Sequence, residues 1–280
     1  MSSGGPLQTR RLTLADLPAC LALAVSRDWG AEERKWRLLF DVGEIYGMED
    51  EGGGLVATVV LTRYPPDSGV ISMVLVAERL GRRGLGTRLI GHVLELADRG
   101  PIHLYATANG RPLYDKLGFA GIDGMTTRVG MLECGGGGSS RLAREADLPA
   151  IVALDAGVFG ADRSELVARL PAFAEQLRVV ERDGVVTGYA GAWRNIETLV
   201  VGPVIASDAA DAQALIADLA AGAPGARLRL DVDHRHAGLH AWLEDQGVPG
   251  VFDTTLMVYG APGLPGDRDR LFLPVMQALG

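Results

Sequence analysis

The chain has 280 residues, 48% of them apolar and 22% charged, a length and composition that exclude disorder and suit two compact domains rather than one small core. Its net charge of −8 divides as −1 over residues 1–138 and −7 over the remainder, which leaves no basic face for DNA or RNA. The acidic second half would attract a cationic substrate or simply keep the surface soluble.

The N-terminal segment MSSGGPLQTRR has no apolar signal core, and the longest apolar stretches, Leu17–Val25 and Val70–Ala77, fall far short of the about 18 residues of a membrane helix. Two isolated cysteines, Cys20 and Cys134, fit reduced thiols, so a cytoplasmic protein without membrane contact is expected. In chain order, the first half reads as helices near 16–26 and 31–40 and strands near 44–49, 54–63 and 69–77. A helix over 84–99, a strand over 102–107, a helix over 111–117 and a strand over 125–132 follow. The second half repeats the order, with a helix over 147–157, strands near 177–182, 185–193 and 197–205, a helix over 208–221, a strand over 227–232 and a helix over 237–245. This alternation predicts an α/β (α+β) fold with mixed, mostly antiparallel sheets flanked by helices.

The repeat is visible in residues. Ala15-Asp16-Leu17-Pro18-Ala19 recurs as Ala146-Asp147-Leu148-Pro149-Ala150, each before an apolar helical run. Asp16 and Asp147 are placed as N-caps, with Pro18 and Pro149 in the first turn, where a missing N–H does no harm. Leu117-Gly118-Phe119 and Asp245-Gln246-Gly247-Val248 close the two copies, and Gly135-Gly136-Gly137-Gly138-Ser139-Ser140 reads as a flexible joint. The expected domains are 1–134 and 141–280, with a linker at 135–140.

One stretch carries chemistry. The strand Val70 to Val76 runs through Ala77–Leu80 into Gly81-Arg82-Arg83-Gly84-Leu85-Gly86-Thr87, and this turn opens an amphipathic helix. Free N–H groups and the dipole at a helix start form an anion site. Gly84 and Gly86 allow a pyrophosphate close to the backbone, and Arg82 and Arg83 add positive charge. No Gly-Lys-Ser/Thr follows, which excludes a Walker loop, and the glycines do not follow the first strand as in a dinucleotide fold. Such a turn is common by itself. Downstream, however, comes Leu104-Tyr105-Ala106-Thr107-Ala108-Asn109-Gly110-Arg111-Pro112-Leu113-Tyr114-Asp115-Lys116-Leu117-Gly118-Phe119.

Together the two stretches resemble the GNAT acetyltransferase superfamily. There, an apolar fourth strand ending in Val leads to an R/Q-x-x-G-x-G/A loop, and the fifth strand leads to a Leu-Tyr-x-x-Leu-Gly-Phe helix. The resemblance spans roughly residues 8–133. It implies acetyl-CoA as co-substrate, no metal, and direct transfer of an acetyl group to the amine of a small molecule or peptide, by a monomer or homodimer. It further implies that Val74, Leu75, Val76, Gly81, Arg82, Arg83, Gly84, Leu85, Gly86, Thr87, Thr107 and Gly110 hold the acyl-CoA. N–H groups of the splayed strand Met73 to Val76 would serve the oxyanion, and Tyr114 would protonate the departing thiolate. Helix packing is the plainer role for Tyr114. Gly81 departs from the family's Arg or Gln, and Thr107 from its frequent Asn, in a variant that looks like tandem members of the family.

The second half resembles the C-terminal domain of those tandem members. Its equivalent loop, Ser207 to Ala212, has alanines for glycines and an aspartate that would repel a pyrophosphate, and Leu243 falls where Tyr114 stands. The resemblance therefore implies a degenerate second site. On the acceptor side, Trp29, Asp28 and Met73 are substrate candidates, while Trp36 and Phe40 read as core. Glu44, Asp28 and Glu133 are alternative bases. Asp162-Arg163 either faces the acceptor or caps a helix near Ser164. His234, His236 and His240 read as an exposed helix start rather than a metal site. Neither cysteine has a His partner nearby in sequence, so no cysteine acyl-enzyme is expected. A non-catalytic acyl-CoA-binding or regulatory protein on the same fold is the alternative.

Overall fold

The computed structural model describes residues 7–97, 100–132 and 138–280. The first half forms β1 (Thr9–Arg11), α1 (Leu17–Val25), α2 (Glu33–Val42), β2 (Glu44–Glu49), β3 (Leu55–Tyr64), β4 (Ser68–Val76), α3 (Leu85–Leu96), β5 (Ile102–Ala106), α4 (Arg111–Lys116) and β6 (Ala120–Gly130). The second half forms β7 (Arg141–Leu142), α5 (Leu148–Phe159), α6 (Ser164–Val167), α7 (Leu170–Phe173), β8 (Gln176–Arg182), β9 (Val185–Arg194), β10 (Leu199–Ile205), α8 (Ala209–Ala221), β11 (Leu228–Asp233), α9 (Ala237–Asp245), β12 (Gly250–Tyr259) and a further strand, β13 (Leu271–Leu273). No helix among the described residues is long and apolar enough to cross a membrane.

The strands join one sheet in the order β1-β2-β3-β4-β5-β12-β6-β11-β10-β9-β8-β7, with β13 added beside β10. Only β4–β5 and β10–β11 are parallel pairs among the described residues. The final strands are exchanged between the halves. β12 of the second half pairs with β5 of the first, and β6 of the first pairs with β11 of the second. β6 and β12 then pair with each other from Gly250↔Arg128 to Val258↔Ala120. The two repeats thus share a sheet. The chain between them, Glu133–Gly137, lies outside the described residues, and the backbone N–H groups of Gly138 and Ser140 donate to Asp218 of α8.

Burial divides into three cores. Leu89, Ile90 and Val93 of α3 pack on the first half's sheet, and Leu215, Ile216 and Leu239 of α8 and α9 on the second. The third core joins the halves, bringing Trp36, Leu39 and Met73 together with Phe159, Tyr189 and Trp193.

The repeat extends to its ion pairs. Arg10 bridges Asp16 and Glu49, and Arg141 bridges Asp147 and Glu181. Asp16 and Asp147 stand at the N-cap positions of α1 and α5, as the sequence places them, but their carboxylates act differently. Neither side chain caps α1 or α5. Each carboxylate instead reaches back across a 3₁₀ turn to accept the N–H of Thr13 or Arg144, 2.7 Å in both cases. The prolines do stand in the first helical turn.

Candidate active site

The site begins with a fault in β4. Met73 has φ 47°, a left-handed conformation unusual for a non-glycine residue, and the β3–β4 register shifts at this point. The Met73 carbonyl turns to accept the Thr58 hydroxyl at 2.9 Å. β4 pairs with β5 only at Gly69↔Ile102 and Val70↔His103. Beyond Val70 the strands diverge, so Ser72 to Val76 present backbone groups on that side without a β5 partner.

At the end of β4 the chain makes a 3₁₀ turn, Glu78–Leu80, and enters the glycine loop. Arg82 and Gly84 are both left-handed, at φ 59° and 78°. Gly84 is the N-cap of α3 and offers no side-chain cap, and a Cβ there would meet nothing within 4 Å. The N–H groups of Arg82 to Thr87 donate to no backbone carbonyl among the described residues. Arg82, Arg83 and Thr87 are exposed beside this row. The loop therefore fits a pyrophosphate: donors, dipole and cations converge where backbone can approach closely. Two expected members have other roles. The Gly81 N–H is spent on Glu78 O at 2.9 Å, and Gly86 is buried, with Leu113 of α4 only 3.0 Å from where its Cβ would be.

Thr107 and Gly110 form the turn from β5 into α4. The Thr107 carbonyl accepts the N–H groups of Gly110 and Arg111, both at 3.0 Å. The turn aims Tyr114, which is 8% exposed and packs edge-on against Phe119. Burial alone pushes its hydroxyl up to about 12, so it holds its proton at neutral pH.

A cavity of about 400 Å³ lies between the halves. Ser72 and Met73 of the β4 fault, with Tyr105 and Thr107, form one wall. Asp28, Trp29, Glu32 and Lys35 enter from the α1–α2 region, and Trp193, Asn195, Arg229, Asp231, Phe252 and Thr254 from the second half's sequence. Trp29, Asp28 and Met73, the substrate candidates of the sequence, all line this cavity. Burial and the neighbouring Arg229 push the Lys35 ammonium down to about 7, while the Asp231 carboxylate pulls the other way; Lys35 also pairs with Glu32. The missed residues had one sequence signal: Arg229, Asp231 and Asp233 alternate with Leu228, Leu230 and Val232, a charged face on a strand in mid-sheet.

Other expected residues lie elsewhere. Glu44 does not line the cavity; it accepts from the Tyr46 hydroxyl and pairs with Arg63. Glu133 and Cys134 are outside the described residues. Asp162 caps the turn at Ser164, and Arg163 is buried on Asp155. Trp36 is fully buried. His236 and His240 meet the carbonyls of Leu271 and Asp233, and His234 meets the Thr126 hydroxyl. Cys20 is buried, its thiol pushed up to about 12 by burial.

The equivalent places in the second half are filled by the chain itself. Asp208 caps α8, its carboxylate accepting the Asp211 N–H at 2.9 Å, where α3 has free donors. β10 parts from β11 after Val201↔Leu230, and β13 takes the vacated place beside Val204 and Ile205. Leu243 is buried on α9.

Comparison with known proteins gives the family and the fold. The acetyltransferase (GNAT) family model matches residues 13–119, and an acetyltransferase (GNAT) domain model matches residues 151–273. YitH, an uncharacterized N-acetyltransferase of Bacillus subtilis (strain 168), is 30% identical over 263 residues, covering 90% of each chain. The solved structure of a candidate acetyltransferase from Pyrococcus horikoshii matches with TM-score 0.82 at 17% identity, over 100% of this chain and 97% of that one. A tandem GNAT protein from the clavulanic acid biosynthesis pathway matches with TM-score 0.66 at 12% identity, over 92% of this chain and 100% of that one. At these identities the two structures speak for the fold.

Proposed function

The chain belongs to the GNAT acetyltransferase family, and from that premise we propose that it moves an acetyl group from acetyl-CoA directly to the amine of a small molecule. The observation that carries this reading is the continuity of the first half's site. A free N–H row opens α3 beyond the end of β4, the unpaired stretch of β4 gives Ser72 and Met73 to the cavity wall, and Thr107, on the same wall, begins the turn into the helix that carries the buried Tyr114. In this reading residues 1–134 hold the donor. Residues 141–280, joined through 135–140, complete the acceptor cavity and bind no acyl-CoA.

The N–H groups of Arg82 to Thr87, with the Arg82 and Arg83 guanidiniums, would hold the pyrophosphate, and the free side of Val74 to Val76 the pantetheine amides. Bound acetyl-CoA supplies a thioester carbonyl open to attack by an amine. The backbone of the β4 fault offers preorganised N–H donors for the charge that develops on the carbonyl oxygen. Tyr114, neutral at pH 7 as any tyrosine and more so for its burial, would hold the proton that a departing thiolate takes up. A cavity of about 400 Å³ is of small-molecule size, which favours a small amine over a peptide.

The test is thiol release from acetyl-CoA across a panel of small amines, with mass spectrometry of the products. Amine-dependent thiol release and N-acetyl products are expected. CoA binding without transfer to any amine would refute the proposal.

A further inference from the structure

We infer that Asp231, contributed by the second half, is the carboxylate that takes the proton from the acceptor amine. The inference rests on the amine-transfer reading above and adds the group which that reading leaves unassigned.

Asp231 lies on the charged face of β11, in register with Thr127 of β6, and is 3% exposed. It lines the same cavity as Ser72, Met73 and Thr107. Its Oδ1 accepts the Thr127 hydroxyl at 2.5 Å, which fixes the carboxylate. Its Oδ2 receives only a long contact from Arg229, at 3.4 Å. A formed charge-assisted fork is shorter, about 2.7–2.9 Å. This protein contains one for comparison. The equally buried Asp155 takes Arg163 on both oxygens, at 2.9 and 2.6 Å, and the Tyr189 hydroxyl as well. Asp155 is saturated and structural. Asp231 keeps an oxygen for something else, and a buried carboxylate left short of partners is costly unless a ligand completes it.

The other carboxylates of the cavity are less suited. Glu32 is engaged by Asn195 at 2.5 Å and by Lys35. Asp28 stands exposed on a left-handed loop position. The titratable and charged groups around Asp231 are Arg229 on its own strand, Lys35 and Glu32 from the α2 side, and Tyr105 from β5. Lys35 indicates what this wall does to an ammonium: burial and Arg229 bring it down toward neutrality, outweighing Asp231, which raises it. An acceptor amine docked here is similarly easier to deprotonate.

The protons balance. The acceptor ammonium gives one proton to Asp231, directly or through a water. The freed nitrogen lone pair forms the C–N bond as the C–S bond breaks. Tyr114 gives its proton to the sulfur and regains the second amine proton through solvent, and Asp231 releases its own to solvent.

The experiment uses the full chain, acetyl-CoA and the best amine of the panel, comparing wild type with Asp231→Asn. Asparagine keeps an oxygen for Thr127. We expect a folded variant with unchanged CoA affinity by calorimetry, and single-turnover acetyl transfer slowed about 10²- to 10⁴-fold. Quenching of tryptophan fluorescence by the acceptor, with CoA present, should change less than the rate. The wild-type rate should level off with rising pH while the variant's keeps climbing toward the pKa of the free amine. A weakly basic acceptor such as an aryl amine, neutral at pH 7, should remove most of the defect. Should the asparagine variant not fold, Asp231→Ser, which leaves a hydroxyl for Thr127 and no base, carries the same expectations. An undiminished rate, or the same defect with basic and neutral acceptors, overturns the assignment, as does a loss wholly explained by acceptor affinity. A wild-type chain that transfers to no amine overturns the amine-transfer reading and this assignment with it, whereas an active wild type with an unimpaired variant overturns the assignment alone.

Discussion

Tyr114 contributes a packed ring and a protonated hydroxyl that burial pushes up to about 12, and these two roles separate by mutation. Tyr114→Phe retains the ring against Phe119, so folding and CoA affinity should be near normal. Turnover should fall roughly 10- to 1000-fold, because a proton donor acts on charge that appears only as the thiolate leaves. Turnover and CoA affinity measured side by side decide this; unchanged turnover with chemistry rate-limiting would leave a packing residue. The loop separates in the same manner. A side chain at Gly84 meets open space but must hold a left-handed backbone, a strain that Gly84→Asp and Gly84→Asn share; only aspartate places a carboxylate among the free N–H groups, so a folded Gly84→Asp chain with at least about tenfold weaker CoA binding than Gly84→Asn by calorimetry is expected. Normal CoA affinity would mean that the pyrophosphate lies elsewhere. The same change at Gly86 would confound binding with packing, since Leu113 stands in the way. The loop and Tyr114 were legible because each motif is contiguous in sequence. Lys35, Arg229 and Asp231 were not, because they become neighbours only when remote strands are assembled.

At the scale of elements, the two repeats share a plan and differ in what fills it. The start of α8 is already occupied by Asp208, and the gap between β10 and β11 by β13. An added acyl-CoA would have to displace a carboxylate from its own N–H partner with its pyrophosphate and a strand from the sheet with its pantetheine. Calorimetry should therefore find one CoA per chain, and two equivalent sites would contradict it. The repeated ion pairs give a pH prediction. Arg10 and Arg141 hold Asp16 and Asp147 down at about 2, against 3.8 for the free side chain. A carboxylate depressed on folding stabilises above its unfolded pKa and loses that contribution as pH falls through its folded one. In urea titrations the wild type should exceed Arg141→Gln in midpoint at pH 5–6, and the margin should shrink between about pH 4 and 2. A margin independent of pH would assign the effect to packing of the arginine. The repeated motif foretold both helices, but not that each aspartate turns back to its own ion pair, since an N-cap and a backward cap use the same residue type.

Across the whole molecule, the exchanged strands decide how the halves depend on one another. Nothing in residues 246–280 was read as a strand, and local pattern cannot say which sheet a strand will join, so two separate sheets were the natural expectation. Met257 shows the consequence. It belongs to the second half by sequence, sits on β12 beside Leu104 of β5, and is fully buried in the first half's core with Leu89 and Ile90. Independent halves would give two unfolding transitions, and a mutation would move one of them. With a shared sheet and the joint core around Trp36, Met73 and Trp193, one cooperative transition is expected. Met257→Ala should lower that transition as a unit, by about 2–5 kcal/mol for a buried methionine truncated to alanine. The measurement is urea unfolding followed by far-ultraviolet circular dichroism and by tryptophan fluorescence, which has reporters in both halves at Trp36 and Trp193. Coincident curves displaced together would support a single unit. If the curves split into two phases and Met257→Ala moved only one of them, the exchange would be an association of domains that fold independently.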